Sequence, residues 1–264
     1  MPELKDFTSS VAVLVSSCDS FFDAWLPFSV LFRKFWPDCP FKIFLIVNQL
    51  RIRSSLFQPI AIGPDRGWSL NLQLALSQIT HPYVLYIQED YFLTEPVQRH
   101  QLGADFESAF ESDADSLCFR ARTHIDRGFA PINERFGIVP RDSDGRTRCQ
   151  VTLWKRTALQ SVLRSDETAW NFEARGSERT TDLRILSYAH RENAPIRYVM
   201  SAISRGLWMP EALALCREHR VEIDPFFRPE YSPRAWQRRL RRAIGRSRLR
   251  RQLARRHGQI LALE

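Results

Sequence analysis

The chain has 264 residues, of which 44% are hydrophobic and 12% aromatic, and this is ample for one substantial core. No apolar run approaches the roughly 20 residues of a membrane-spanning helix, and no hydrophobic stretch follows residues 1–6, so we expect neither a membrane span nor a signal peptide. The five cysteines are scattered without a Cys-x-x-Cys pair. This pattern argues against a disulfide framework or a structural zinc site and favours a reduced, cytoplasmic protein.

The net charge of +8 is concentrated at the C-terminal end of the chain. Residues 232–264 contain 11 arginines and one acid, which gives them +10 and leaves −2 for the 231 residues before them. We therefore predict one domain over residues 1–231 and an Arg-rich tail over residues 232–264. Such a tail suits a polyanionic surface and says little about the chemistry of the body.

The first part of the chain alternates predicted strands with predicted helices. Short apolar runs bounded by polar residues, Pro and Gly indicate buried strands, and apolar residues at helical spacing indicate helices. A strand, a helix and a second strand in this order form a parallel pair with a right-handed crossover. The predicted strands cover residues 11–15, 41–47, 59–63 and 83–87, and the predicted helices run from about 24–26 to 35 and from a cap at Ser69 to about 79.

The rest of the body continues with mixed elements and long loops. The alternation as a whole predicts an α/β fold with a doubly wound, mostly parallel central sheet flanked by helices. The predicted helices cover residues 97–115, 157–163, 181–189 and 210–219, the predicted strands cover 116–121, 150–154 and 196–203, and residues 122–148 are predicted to form loops that cover a site.

The stretch from Tyr83 to Leu93 organises the functional prediction because its apolar strand ends on two adjacent acids, Glu89 and Asp90. Ligands of open α/β sheets bind at the C-terminal ends of the strands. A hard cation that holds a diphosphate needs one or two carboxylates at such a place. The alternative is that both acids simply end a strand in solvent.

Polar residues also follow the first two predicted strands. Ser17, Cys18 and Asp19 follow the first strand and Asn48 follows the second, so they are candidates to hold a base and ribose, with Asp19 nearest to them. The alternative for Asp19 is a cap on the next helix.

A third candidate element lies before the predicted helix at Ser69. Gly67 and Trp68 would bring the backbone close to a ligand and aim a helix N-terminus at phosphate, although a turn glycine and a core tryptophan explain them equally well.

Glu173 is the candidate general base. It follows Trp170 and Phe172, and a carboxyl that is desolvated by aromatic neighbours has a raised pKa, which suits proton abstraction. The alternative is that both aromatics are core residues and Glu173 begins a surface helix. The sequence contains no P-loop, no Rossmann glycine fingerprint and no Gly-x-Ser-x-Gly elbow, and its six histidines lack the spacing of metal ligands.

In their order these motifs resemble the GT-A glycosyltransferases, especially bacterial relatives of the inverting family 2. The resemblance implies transfer of a sugar from a nucleotide-diphosphate donor to a glycan or lipid-linked acceptor in surface polysaccharide assembly. It also implies a divalent cation, Mg²⁺ or Mn²⁺. The matching stretches are residues 11–19, 41–48, 67–75, 83–93 and 170–173.

The resemblance also assigns roles to single residues. The turn from Ser16 to Asp19 corresponds to the nucleotide-binding turn, while Asn48 and Asn71 correspond to polar contacts to the donor. Gln88-Glu89-Asp90 takes the place of the metal-binding Asp-x-Asp motif, so Gln88 stands where the family prefers Asp, and Glu173 takes the place of the catalytic acid.

The tail combines arginines with apolar residues at helical spacing, and Gly245 is predicted to divide it into two short amphipathic helices. Such helices lie on anionic membrane surfaces, which predicts a peripheral position on the inner face of the cell membrane. Nucleic-acid binding competes for the same charge, but no aromatic stacking platform accompanies it, so we do not expect a nucleic-acid partner. The remaining alternative is a solvated or disordered tail that has no partner. The apolar residues are Trp236, Leu240, Ala243, Ile244, Leu249 and Leu253.

The leading hypothesis is an inverting glycosyltransferase in which Asp90 and Glu89 hold a cation and diphosphate and Glu173 is the base. One rival is a nucleotidyltransferase on a related sheet, which would need a Gly-rich basic turn after the first strand. Residues 16–19 do not form such a turn. The other rival is a sugar- or nucleic-acid-binding protein without catalytic activity.

Overall fold

A computed structural model describes residues 3–121, 130–190, 194–256 and 258–264 of the protein. The strands are β1 Val11–Ser16, β2 Ile43–Val47, β3 Arg51–Arg53, β4 Gln58–Ala61, β5 Tyr83–Gln88, β6 Ser116–Cys118, β7 Ala130–Pro131, β8 Phe136–Ile138, β9 Thr152–Lys155, β10 Ile185–Tyr188, β11 Ile203–Ser204, β12 Leu207–Trp208 and β13 Ile260–Ala262. The α-helices are α1 Phe22–Phe35, α2 Trp68–Leu76, α3 Arg99–Glu111, α4 Arg156–Val162, α5 Ala169–Arg175, α6 Pro210–Glu218 and α7 Ala235–Arg256, and 3-10 turns cover Leu4–Phe7, Asp19–Phe21 and Gly176–Arg179.

The central sheet of the described residues has the strand order β4-β2-β1-β5-β9-β6-β10-β8-β7. The pairs β4–β2, β2–β1, β1–β5 and β6–β10 are parallel, while β9 and β8 run against their neighbours. The predicted α/β class with a mostly parallel sheet between helices is therefore confirmed. The parallel half holds β1, β2 and β5 side by side, which brings their C-terminal ends to one edge.

Both faces of β1 are buried, which explains its unbroken apolar sequence. Val11, Val13 and Val15 contribute to one hydrophobic core together with α1, whereas Ala12 and Leu14 contribute to a second core together with α2. The sheet is thus covered on both sides, and the free space for a ligand lies beyond the strand ends.

Several predicted boundaries shift by a few residues. Helix α1 begins at Phe22 rather than at 24–26 because the 3-10 turn before it leads directly into the helix, and Pro27 lies inside it. Helix α2 begins at Trp68 with Gly67 as its N-cap residue, so the predicted cap at Ser69 is wrong. The Ser69 hydroxyl is buried inside the helix.

Two predicted elements in the second half are wrong. The helix predicted over residues 181–189 is instead strand β10, which is fully buried between β6 and β8, so pairing overrides the local pattern. The strand predicted over 196–203 is mostly irregular. It runs beside residues 90–94 through single hydrogen bonds, including one from Ala202 N to Asp90 O at 2.9 Å.

Residues 122–148, predicted as loops, contain the short strands β7 and β8. The part of that prediction that concerns residues 122–129 lies outside the described residues.

The tail forms one helix of 22 residues, so the predicted break at Gly245 is wrong. Gly245 is buried where α7 crosses the body, and an added Cβ would lie 2.8 Å from Pro229 Cδ and 3.2 Å from Phe227 O. The glycine thus permits a close approach rather than a helix end. Strand β13 then pairs with β3. Among the described residues, no helix combines the length and hydropathy needed to cross a membrane.

Candidate active site

The ends of β1 and β2 are held together by reciprocal hydrogen bonds between Asp19 and the turn at Asn48. The Asp19 carboxylate accepts hydrogen bonds from the backbone nitrogens of Asn48, Gln49 and Leu50, each at 2.8 Å. Asp19 N in turn donates to Asn48 Oδ1 at 2.9 Å. The Asp19 side chain therefore fixes the turn and does not cap α1, whose N-cap residue is Phe21. Its contact with a base or ribose stays a prediction.

A cavity of about 290 Å³ lies beside this pair of turns. Its walls come from the predicted donor-binding residues Asp19 and Asn48, from Asp65, and from Leu253 and Ala254 of α7. The sequence does not predict the contribution of α7, because no local pattern shows that a helix more than 200 residues away reaches the turn that follows the first strand.

The segment before α2 is ordered by Asp65, which the sequence did not single out. Asp65 Oδ1 accepts hydrogen bonds from Gly67 N at 3.0 Å and from Asn71 Nδ2 at 2.7 Å, while Asn71 Oδ1 accepts one from Arg66 N at 3.0 Å. Gly67 has a φ of 92°, a conformation that favours glycine, with open space around it. Asn71 thus shapes the loop at the start of α2.

Trp68 and Gln88 meet at Tyr86 below the strand ends. Trp68 Nε1 and Gln88 Nε2 each donate a hydrogen bond to the Tyr86 hydroxyl at 3.1 Å. Gln88 is therefore bonded within the protein rather than aligned with the two acids that follow it.

The thiol of Cys18 has a pKa raised to about 12, first by burial and then by the charges of Glu89 and Asp65.

Glu89 and Asp90 lie buried at the end of β5, with 7% and 6% of their surface exposed. Asp90 Oδ2 accepts hydrogen bonds from Ser201 Oγ at 3.0 Å and from Ile203 N at 3.3 Å. Burial raises the pKa of both carboxyls, and the charge of Asp90 raises that of Glu89 further. They do not end a strand in open solvent, so that alternative is wrong.

Arg228 supplies positive charge next to this acidic pair. Its guanidinium forms a two-pronged ion pair with Asp23, from Nε to Oδ2 and from Nη2 to Oδ1, both at 3.0 Å. Both side chains are 5% exposed. The charge of Arg228 lowers the pKa of Glu89 and of Asp90. Neither Asp23 nor Arg228 was predicted, because their 205-residue separation leaves no local signal.

The acidic pair fits a divalent cation in its charge and ligand chemistry. The charge of Arg228 acts on both Glu89 and Asp90, and Arg228 is at the same time ion-paired with Asp23. Within the described ranges, no group of three or more His, Cys, Asp or Glu is arranged to hold a metal by itself. Mg²⁺ commonly binds through one or two carboxylates together with phosphate oxygens, for which Glu89 and Asp90 suffice.

Glu173 lies in α5, which Thr168 caps by accepting a hydrogen bond from Asn171 N. Glu173 Oε1 accepts hydrogen bonds from Cys149 N at 2.8 Å and from Gln150 Nε2 at 3.1 Å. The expected packing of two aromatics around the carboxylate is wrong, since Trp170 is 80% exposed and Phe172 packs against Trp68. Glu173 faces a cavity of about 280 Å³ with Arg120, Thr147, Arg148, Gln150 and Met200.

A larger cavity of about 570 Å³ shares Arg120 and Met200 with the one at Glu173. Its lining combines apolar and aromatic residues such as Phe119, Ile196 and Tyr198 with the charged residues Glu95, Arg197 and Glu211. The two cavities therefore form neighbouring parts of one surface. Glu173 marks its smaller part, and the larger part offers room for a molecule that extends away from Glu173.

No protein-family model matches the chain, and no curated protein matches it. Similar solved structures include TarS of S. aureus, with 13% identity, a TM-score of 0.45 and coverage of 81% of this chain and 39% of that one. TarS residues 1–349 match with 12% identity and a TM-score of 0.47, covering 90% of this chain and 71% of that one. The galactosyltransferase LgtC, solved with donor and acceptor sugar analogues, matches with 12% identity and a TM-score of 0.35, and 78% of each chain is covered.

The match thus covers well under half of this TarS chain. At these identities and TM-scores the similarity assigns neither a family nor an activity.

Proposed function

We propose that the protein is a glycosyltransferase that moves a sugar from a nucleotide-diphosphate donor to a hydroxyl of a glycan or lipid-linked acceptor. One observation carries the proposal: two consecutive residues connect the acidic pair to the cavity of the base. Ser201 bonds Asp90, and Met200 lines the cavity of Glu173. The diphosphate leaving group would therefore lie on one side of the segment from 198 to 203, and the acceptor hydroxyl would lie on the other.

The donor would occupy the edge of the sheet where β1, β2 and β5 end. The cavity of about 290 Å³ beside Asp19 and Asn48 would take the nucleobase, and Glu89 and Asp90 directly follow β5, the strand next to β1. A divalent cation bound by Glu89 and Asp90 would neutralise the charge that develops on the leaving diphosphate. Arg228 contributes a fixed positive charge to the same region.

Glu173 would act on the acceptor. The bonds from Cys149 and Gln150 fix its Oε1, so Oε2 is the oxygen that takes the proton from the acceptor hydroxyl. The hydroxyl oxygen then forms a bond to the anomeric carbon as the bond from that carbon to the diphosphate oxygen breaks. A single displacement of this kind inverts the anomeric configuration.

The proposal is tested by nucleotide release from a panel of nucleotide-diphosphate sugars with a mixture of acceptor glycans and lipid-linked sugars. UDP-GlcNAc is a reasonable first probe, because TarS residues 1–349 have been solved in complex with it. We expect Glu173→Gln to lower turnover by about 100-fold or more while donor binding persists. We expect Asp90→Asn to weaken both donor binding and turnover, and EDTA to abolish the activity until Mg²⁺ or Mn²⁺ is restored.

Glu178→Gln and Asp182→Asn are matched controls, since both side chains are exposed acids close to α5 in sequence. They should retain full activity. Equal nucleotide release from the wild-type protein, Glu173→Gln and Asp90→Asn would show that the catalytic assignment is wrong. Binding of a donor without transfer to any acceptor would favour a sugar-binding protein instead.

A further inference from the structure

Helix α7 has one side that docks on the body and one side that faces solvent. Its docked side includes the buried Gly245 and the half-buried Leu249 and Leu253, which pack against the larger core. Arg241 donates to the backbone oxygen of Glu230 at 2.7 Å, and Arg248 donates to that of Phe226 at 3.2 Å. The orientation of the helix about its own axis is therefore fixed.

The outward side of α7 carries an apolar stripe that the fold does not need. Trp236, Leu240 and Ile244 are 62%, 54% and 37% exposed, respectively. Their spacing of four residues places them on one face of the helix, and Ala243 lies exposed between them. A solvated helix face normally carries polar residues, so three large apolar side chains in a row indicate a surface that becomes covered.

Exposed arginines flank this stripe. Arg239, Arg246, Arg250 and Arg251 are exposed, while α7 contains no acidic residue. The arginines on the docked side are used within the protein, as the bonds of Arg241 and Arg248 show. By their spacing along the helix, Arg239, Arg250 and Arg251 lie on the side of the apolar stripe.

We propose that the outward face of α7 binds the surface of an anionic lipid bilayer, with the helix lying parallel to the membrane. Trp236, Leu240 and Ile244 would enter the boundary between headgroups and acyl chains, and the flanking arginines would contact the anionic headgroups. Trp236, Leu240 and Ile244 line neither the Glu173 cavity nor the cavity beside Asp19, and vesicle binding is measured without donor or acceptor, so the proposal is tested apart from the transferase activity.

Two other occupants fit the face less well. A nucleic acid would satisfy the arginines but leave the stripe of Trp236, Leu240 and Ile244 against water or phosphate. A second copy of the chain would cover the stripe but would bring two rows of arginines together without any acid on either helix. Only an anionic lipid surface matches both the charge and the apolar side chains.

The experiment is sedimentation of the full-length protein with vesicles of phosphatidylcholine alone or mixed with an equal part of phosphatidylglycerol. We expect binding to the mixed vesicles that weakens as salt rises from about 0.05 to 0.5 M, and little binding to the neutral ones. The triple variants Trp236→Ser/Leu240→Ser/Ile244→Ser and Arg239→Gln/Arg250→Gln/Arg251→Gln should each reduce the bound fraction at least about tenfold at limiting lipid.

Matched controls remove the same groups from other exposed positions. Leu26→Ser/Val30→Ser changes the exposed apolar pair on α1, and Arg141→Gln/Arg184→Gln/Arg217→Gln removes three exposed arginines outside the tail. Both should bind the vesicles like the wild-type protein, and far-ultraviolet circular dichroism should show every variant folded.

Absence of binding to the anionic vesicles, or equal losses in the controls and the α7 variants, would overturn the proposal. The proposal would also be overturned if the protein binds duplex DNA or RNA more tightly than it binds anionic vesicles, and if the arginine triple variant weakens this binding while the serine triple variant does not. The face would instead be assigned to a second copy if the wild-type protein forms a concentration-dependent dimer, Trp236→Ser/Leu240→Ser/Ile244→Ser is monomeric, and this variant binds vesicles like the wild-type protein.

Discussion

The Ser201 hydroxyl lies 3.0 Å from Asp90 Oδ2 and 2.7 Å from the backbone oxygen of Ile203, although Ser201 and Asp90 are 111 positions apart in the chain. The residue before Ser201, Met200, lines the cavity of Glu173. A short irregular segment therefore touches both halves of the candidate site. Substitutions at its two adjacent positions, 200 and 201, can therefore affect the kinetics of the donor and of the acceptor separately.

We predict that Ser201→Ala raises the donor KM or lowers kcat by about tenfold, since a hydrogen bond to a charged group contributes about 1.5–3 kcal/mol. Ser201→Thr, which keeps the hydroxyl, should restore most of the loss. Met200→Ala should change the acceptor KM and leave the donor KM unchanged. Steady-state kinetics with each substrate varied in turn measures both effects, and identical changes in the two variants would contradict the separation.

Asp19→Ala should destabilise the protein by about 3 kcal/mol, because it removes a carboxylate that accepts three backbone N–H groups. Urea unfolding measures the change in the free energy of unfolding. Asp19→Asn keeps one carbonyl acceptor and should lose less. Asp166→Ala, at an exposed position, serves as the control and should lie within about 0.5 kcal/mol of the wild-type protein. A loss of donor binding without a loss of stability would instead favour a direct contact of Asp19 with the donor.

Gly176→Ala should destabilise the protein by about 1–3 kcal/mol and displace the end of α5, because the added Cβ would lie 2.6 Å from Thr147 Cγ2. Thr147 also donates a hydrogen bond to Phe172 O at 2.8 Å, so the clash occurs where the helix of Glu173 is anchored. Turnover should fall together with stability. The double variant Gly176→Ala/Thr147→Ala should lose less free energy of unfolding than the sum of the losses in the two single variants. If the losses simply add, this contact is not the cause.

The parallel half of the sheet could be predicted because its strands are local apolar runs. Tyr83–Gln88 is an example, because its apolar sequence predicts a buried strand and the two acids follow it directly in the sequence. The partners of those acids could not be predicted, because Ser201 and Arg228 reach them only through the folded chain. Ile185–Tyr188 was predicted as part of a helix for a related reason: its strand conformation comes from β6 and β8 on either side of it.

The pKa of Cys18 predicts an alkaline loss of stability. Burial raises it from 9.0 to about 12, so between these values the unfolded chain loses a proton that the folded chain keeps. The unfolded state then binds fewer protons, and the free energy of unfolding falls as pH rises, by about 1.4 kcal/mol per pH unit from this thiol. Cys18→Ala should show a shallower fall above pH 9 in urea unfolding. At pH 8 the folded protein should react slowly with iodoacetamide at Cys18, and rapid alkylation there would contradict the raised pKa.

Helix α7 should control access to the donor cavity, because Ala254 lines this cavity together with Asp19 and Asn48. Ala254→Trp adds a side chain that fills much of a cavity of about 290 Å³, and Ala254 is exposed, so the change costs little packing. We expect nucleotide diphosphate to bind at least about tenfold more weakly, as measured by calorimetry, since steric exclusion forfeits most of the apolar contact with the base. Ala243→Trp, at an exposed position of the same helix, should leave this affinity unchanged. Equal nucleotide affinity in Ala254→Trp and the wild-type protein would place the base outside this cavity. It would also show that α7 does not contribute to the donor site.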